Sequence, residues 1–460
     1  MASKMMAAAA ALLLSGTVAA QAADKVKFDL WFGLSGDLAE AVGEVCGRFN
    51  ASQSAYEIVC TTQGSYDAAL QNTIAAYRAK KQPTIVQVFD AGTLDMMLSG
   101  AFVPAHKLMD DNGYKIDWSN YVSSISNYYA DSKGVLYSFP FNSSTALLYW
   151  NKDAFAKIGQ TEAPKTWEDV EAAAKKMKAA GIDCPVAIND DTWALLEQFD
   201  AIHGIPTASK DNGYAGLDAE LLINKTRFVD YMIYLKTNYD AGLFKLKVPQ
   251  SGSTIVQSFA SGECQMMMDS VADHGVVGRT QKAGMNWGVA MLPVYAGTTR
   301  HNSLVGGASM WVLAGKSADE YKGAAAFLNF LALPTSEQFW STRTGYIPVT
   351  KTGFDFLKSQ GFYDQPQYKG REIALESLNA SPVDPHVSRG IRLGGFVQIR
   401  KEIRDAMNAI YASDVAVKAG PAGAEAATRK LVQSELDSAV ERSNVILRRF
   451  EKTYAGKQLP

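Results

Sequence analysis

Histidine is scarce in this chain of 460 residues: five are present, at positions 106, 203, 274, 301 and 386. No two stand at the i, i+4 spacing that puts two ligands on one helical face, which argues against a histidine-based zinc or copper centre. Net charge is nearly absent as well, −2 at neutral pH. So small a balance supplies no field for holding nucleic acid or an anionic bilayer, and any anion must be gripped locally. No apolar run reaches the ~20 residues of a membrane-spanning helix. Nucleophile elbows of the Gly-x-Ser-x-Gly type and dinucleotide fingerprints of the Gly-x-Gly-x-x-Gly type are both missing. The nearest phosphate-loop lookalike, Gly315-Lys316-Ser317, has Met310 where the first glycine belongs and reads as a turn between strand and helix. Carboxylates are plentiful, but no motif pairs them as a hydrolase would, and no cofactor is called for. An unrecognised hydrolase is therefore only the weakest alternative.

What is present begins with Lys4, an apolar stretch Met5 to Leu14, and the small-residue site Ala20-Gln21-Ala22. That order reads as a secretory signal peptide over residues 1–22, with a soluble mature chain delivered to the periplasm. Four cysteines fit an exported chain. Cys46 lies in a helical pattern and Cys60 ends the strand after it, a local pairing that would close a short loop. Cys184 and Cys264 are the other candidate pair, and four buried thiols are the alternative.

From Asp24 onward strand and helix patterns alternate. Val26, Phe28, Leu30 and Phe32 alternate as a strand, Asp37 to Phe49 reads as a helix, and Tyr56 to Cys60 as a strand. A helix over Tyr66 to Lys80 and an apolar strand over Thr84 to Phe89 follow. That order predicts a mainly parallel sheet covered by helices. After Pro140 the style repeats. Thr166 and Asp169 form a capping box for a helix ended by Gly181, and strands are predicted over Gln265 to Met268, Trp287 to Leu292 and Ala308 to Leu313. Ala419 to Gly423 reads as a loop before a last helix from Ala424 to Lys452. Two α/β units with a ligand cleft between them result.

Several strings then carry a resemblance. Leu148 to Phe155, Ala163 to Val170, Phe259 to Met266, Gly288 to Pro293 and Thr344 to Pro348 resemble, in the same order, the sugar-type extracellular solute-binding proteins of ABC importers. Within that superfamily, Ser138 to Thr145, Ala208 to Tyr214, Gly306 to Val312, Gln398 to Arg400 and Val440 to Lys452 are most similar to the periplasmic members that bind sn-glycerol 3-phosphate. The resemblance implies a two-lobed, maltose-binding-protein-like fold whose chain crosses three times, near Pro140, near residues 295–305 and near Val349. Lobe 1 would hold residues 23–140 and 300–348, and lobe 2 residues 141–299 and 349–460. It further implies a monomer that binds a small phosphorylated polyol and docks on the permease subunits of an importer, without insertion into the membrane. An unphosphorylated sugar is the alternative ligand.

Carried over position by position, the resemblance puts a phosphate grip on Ser144, Ser270, the backbone of Gly307, Tyr346 and Arg400. The glycerol end falls on Tyr66, Asp90 and Trp193. The chemistry is sensible, because a desolvated phosphate needs several hydroxyl and N–H donors and a fixed guanidinium. Two departures stand out. Asp90 is one methylene shorter than the glutamate of the pattern. Asp190 occupies the place of a second tryptophan: facing the cleft it would add an acceptor for hydroxyls or a cation, facing solvent it would merely leave the cleft wider, and either way glycerophosphodiesters such as glycerophosphocholine stay open as ligands.

Overall fold

The computed structural model describes residues 25–251, 253–457 and 459. The leader expected at 1–22 lies outside them. Among the described residues eleven strands form two sheets. The first holds β1 (Val26–Phe32), β2 (Tyr56–Thr62), β3 (Ile85–Phe89), β4 (Phe102–Val103), β5 (Phe139–Ser144) and β11 (Gly306–Leu313). The second holds β6 (Ala146–Asn151), β7 (Cys184–Ile188), β8 (Phe244–Leu246), β9 (Cys264–Ser270) and β10 (Trp287–Ala290), in the order β10-β6-β9-β7-β8.

In the first sheet β1 pairs in parallel with β2 and β3, as expected of strands joined through the helices Gly36–Ser52 and Tyr66–Arg78. The expectation of a mainly parallel sheet fails at β11, which runs antiparallel to β3, β4 and β5. The reason is topological. β11 re-enters this sheet from the other one, so no covering helix sets its direction. Every residue of β3 is buried, the polar Gln87 included, which is why its pattern does not alternate. The box Thr166/Asp169 caps the helix Trp167–Ala179. The predicted loop at 419–423 is instead a kink within the helix Val415–Thr453: Gly420 takes φ +68° and Pro421 restarts the helix.

The chain leaves the first sheet at Thr145, which alone separates β5 from β6. It returns between Ala290 and Gly306. These two passages are tied together. The Thr145 hydroxyl donates to the Leu304 carbonyl at 2.8 Å, and Gln198 clasps Leu304 through both its backbone N–H and its carbonyl. Residues 347–349 stay on the first sheet, with Ile347 bonded to Ser143 and Val122 to Val349. Two disulfides are present, Cys46–Cys60 between the first long helix and β2, and Cys184–Cys264 between neighbouring strands β7 and β9. Among the described residues no helix is long and apolar enough to cross a membrane.

Candidate functional site

A cavity of about 680 Å³ opens between the two sheets. Tyr66, Asp90, Ser144, Trp193, Ser270, Gly307, Tyr346 and Arg400 all line it. Asp190 does not. Its carboxylate accepts from Asn408 at 2.9 Å, while its neighbour Asp191 lines the cavity. The turn that sends one aspartate inward sends the other out. Asp191 also accepts from the backbone N–H of Trp193, which fixes the start of the following helix.

Each lining residue is held by identifiable bonds. Gln87, buried in β3, accepts from Gly33 N–H at 2.9 Å and donates to Asn142 at 2.7 Å; Asn142 in turn donates to the Tyr66 hydroxyl at 2.8 Å. Tyr66 stacks on Phe89 with ring centres 5.3 Å apart, and its hydroxyl meets that of Tyr346 at 3.5 Å. Burial pushes the Tyr66 phenol well above its ordinary value and Tyr346 up to about 12, so both remain neutral donors at physiological pH. Ser144 ends β5 and Ser270 ends β9, and Ser144 faces Gly306 across the β5–β11 ladder. Gly307 has φ +108°, and a Cβ there would lie 1.9 Å from the Asn142 carbonyl oxygen, so no other residue fits. A Cβ on Gly306 would strike the Trp193 indole at 2.3 Å; that glycine lets the ring lie against the backbone.

Arg400, buried on the helix Phe396–Ala412, is already engaged. Its Nη1 and Nη2 reach the two oxygens of Asp90 at 2.9 and 3.1 Å, and its Nε and Nη2 reach those of Glu197 at 2.7 and 2.8 Å. Four of its five N–H groups are thus spent, leaving one on Nη1. The trio carries a formal charge of −1. Burial raises Glu197 to about 7, opposed by Arg400. Glu197 escaped the sequence reading, although it stands four residues after Trp193. The two share a short π-helix, Trp193–Glu197, a conformation found often where side chains must be re-aimed.

A second group of carboxylates was also missed. Asp191 and Asp269 line the cavity, with Asp273 beside them. Burial raises all three, and each is raised further by a neighbouring acid; Asp273 reaches about 7. None of the three forms an ion pair among the described residues. The acids stand among the donors: the Ser270 N–H donates to Asp269 at 2.7 Å, and Arg400 and Arg404 oppose the effect of burial on Asp191. Among the described residues no group of His, Cys, Asp and Glu is arranged to hold a metal ion.

Comparison with known proteins gives one answer at three levels. The family described as bacterial extracellular solute-binding protein matches residues 44–367. The sn-glycerol-3-phosphate-binding periplasmic protein UgpB of Escherichia coli O1:K1 is 38% identical over 453 residues, covering 97% of this chain and 98% of that protein. UgpB of Escherichia coli K12 is 38% identical over 440 residues, covering 94% and 95%. Among solved structures, UgpB from Mycobacterium tuberculosis in complex with glycerophosphocholine superposes with a TM-score of 0.70 at 20% identity, over 91% of this chain and 99% of that one. MalE from Xanthomonas citri gives 0.68 at 18% identity, over 94% and 100%. These structural likenesses establish the two-lobed fold.

Proposed function

The chain belongs to the bacterial extracellular solute-binding proteins, and from that membership we propose that it is the periplasmic, soluble binding component of an ABC importer. Its ligand is sn-glycerol 3-phosphate or a glycerophosphodiester, captured without chemistry and delivered to membrane permease subunits by a monomer. The observation that carries this reading is the convergence of Ser144, Ser270, Gly307, Tyr346 and Arg400 on one cavity, in a chain similar along nearly its whole length to glycerol-3-phosphate-binding proteins. Hydroxyls, a backbone N–H and the spare N–H of Arg400 supply the donors that a phosphate requires out of water. A ligand touching both lobes favours the closed arrangement by differential binding, which is the form a permease reads. A micromolar Kd asks for about −8 kcal/mol, within reach of such a cluster.

The acid in the cavity wall favours the diester form of the ligand. Asp191 and Asp269, beside the Trp193 ring, suit an ammonium head group, which free glycerol 3-phosphate lacks. One observation favours a second reading. Because Arg400 is neutralised by Asp90 and Glu197, the two carboxylates could serve as acceptors for the hydroxyls of an unphosphorylated sugar.

Isothermal titration of the purified protein with glycerol 3-phosphate, glycerophosphocholine, inorganic phosphate and maltose separates the readings. Heat from the two glycerophosphates and none from maltose supports the proposal. Tight maltose binding with no response to the phosphorylated ligands overturns it. Turnover of the diester would instead make the protein a hydrolase.

A further inference from the structure

A second crevice, of about 380 Å³, lies away from the cleft between the helices Asp273–Thr280 and Pro334–Arg343. Three arginines line it, Arg279, Arg343 and Arg371, and among the described residues no carboxylate does. Arg279 and Arg343 are balanced from outside by Asp37 on the first long helix, and Arg343 also by Glu44. Arg371 is different. It is 4% exposed, and it forms no ion pair among the described residues. Its Nε donates to His274 Nδ1 at 3.1 Å and its Nη1 to the Ser341 carbonyl at 2.6 Å; the Tyr368 ring lies 4.8 Å away. His274 is a neutral partner, since burial and Arg371 hold its pKa down to about 3. A buried guanidinium with only neutral partners is costly unless an anion completes it, and its planar fork matches an oxyanion.

We propose that this crevice is a second anion site, which takes a small inorganic oxyanion such as phosphate or sulfate and ties the two lobes together from behind the cleft. The helix Asp273–Thr280 follows β9 of the second sheet, and the helix Pro334–Arg343 packs on the helices that cover the first. Arg371 already bridges them, bonding His274 on one and Ser341 on the other. Both helices also reach the cleft. Asp273 stands beside Asp269 at the start of one, and Tyr346 follows the end of the other. An oxyanion bound here fixes the same two helices that the cleft ligand must hold, so the two events are coupled and the coupling is reciprocal.

The test is sulfate titration of the full mature chain at constant ionic strength, with chloride as the control and thermal unfolding as the readout. The wild type is expected to gain stability saturably at low millimolar sulfate, beyond the unsaturable rise that sulfate gives any protein. Ser144→Ala, altered in the cleft, should keep that response. Arg371→Met should lose it. Because Arg371→Met removes a buried side chain and could fail to fold, Thr342→Glu serves as a second variant. Thr342 is exposed on the crevice rim, and a glutamate there supplies the missing carboxylate. That variant should be more stable without sulfate and gain nothing saturable with it. In the wild type, sulfate should also tighten the cleft ligand about fivefold, within the usual range of such couplings. A wild type with no saturable response, or a Thr342→Glu variant that responds as the wild type does, overturns the proposal.

Discussion

Asp90 and Arg400, 310 residues apart in sequence, face each other as a bidentate pair, with Oδ1 2.9 Å from Nη1 and Oδ2 3.1 Å from Nη2. Asp90 follows β3 of the first sheet, and Arg400 sits on a helix packed against the second lobe. The pair therefore spans the cleft, and Glu197 completes the arginine from the other side.

Arg400→Met should be costly twice over. It leaves two buried carboxylates without their cation, which typically destabilises a protein by about 3–5 kcal/mol. It also removes the guanidinium from the proposed anion site. Urea unfolding should show a clearly lowered midpoint, and calorimetry no heat with glycerol 3-phosphate. An unchanged midpoint would mean that the trio contributes nothing to stability.

Asp269→Asn should discriminate between ligands. It weakens the acid in the cavity wall, so a diester with an ammonium head should lose roughly tenfold in affinity while glycerol 3-phosphate loses little. In the wild type, a bound cation favours the ionised acids, so diester affinity should rise with pH through the Asp273 value of about 7. Titrations at pH 6 and pH 8 check both statements. Equal losses for the two ligands would contradict the assignment of those acids to the ammonium head.

Glu337 ties down the segment at Val349, accepting from the N–H groups of Val349 and Thr350 and from the Thr350 hydroxyl. Burial raises its pKa from 4.5 to about 7. The folded chain thus holds that proton more tightly than the unfolded chain does. Its contribution is fully present below the unfolded value and is lost as pH rises through about 7. Wild-type stability should fall from pH 5 to pH 8 more steeply than that of Glu337→Gln, as read from urea midpoints at each pH. Parallel slopes would refute this.

The two disulfides should differ in worth. Cys184–Cys264 closes a separation of 80 residues and Cys46–Cys60 one of 14, so the chain-entropy model gives ~4.5 and ~3 kcal/mol. Paired Cys→Ser variants unfolded in urea should keep that order.

Much of this architecture was legible from the chain. Strand and helix alternate cleanly up to Phe89 because each element there neighbours the next in space, and the Thr166/Asp169 box announces its helix locally. The antiparallel entry of β11 was not legible, since only the passage between lobes sets its direction. Site residues at strand ends, such as Ser144 and Ser270, could be placed through resemblance. The second partner of Arg400 could not, because Glu197 lies 203 residues away and reaches it only through a π-helical turn. Asp190 and Asp191 show the same limit: adjacent identical residues diverge, and only the fold says which one turns inward.

The position of phosphorus in a crystal structure of the glycerol 3-phosphate complex tests the central claim most directly. The expected result places the phosphate against Ser144, Ser270, the Gly307 N–H and the Tyr346 hydroxyl, with the spare N–H of Arg400 turned toward it and the glycerol hydroxyls toward Asp90. A phosphate bound outside this cavity, or a cavity that takes maltose and leaves glycerol 3-phosphate in solution, would contradict it.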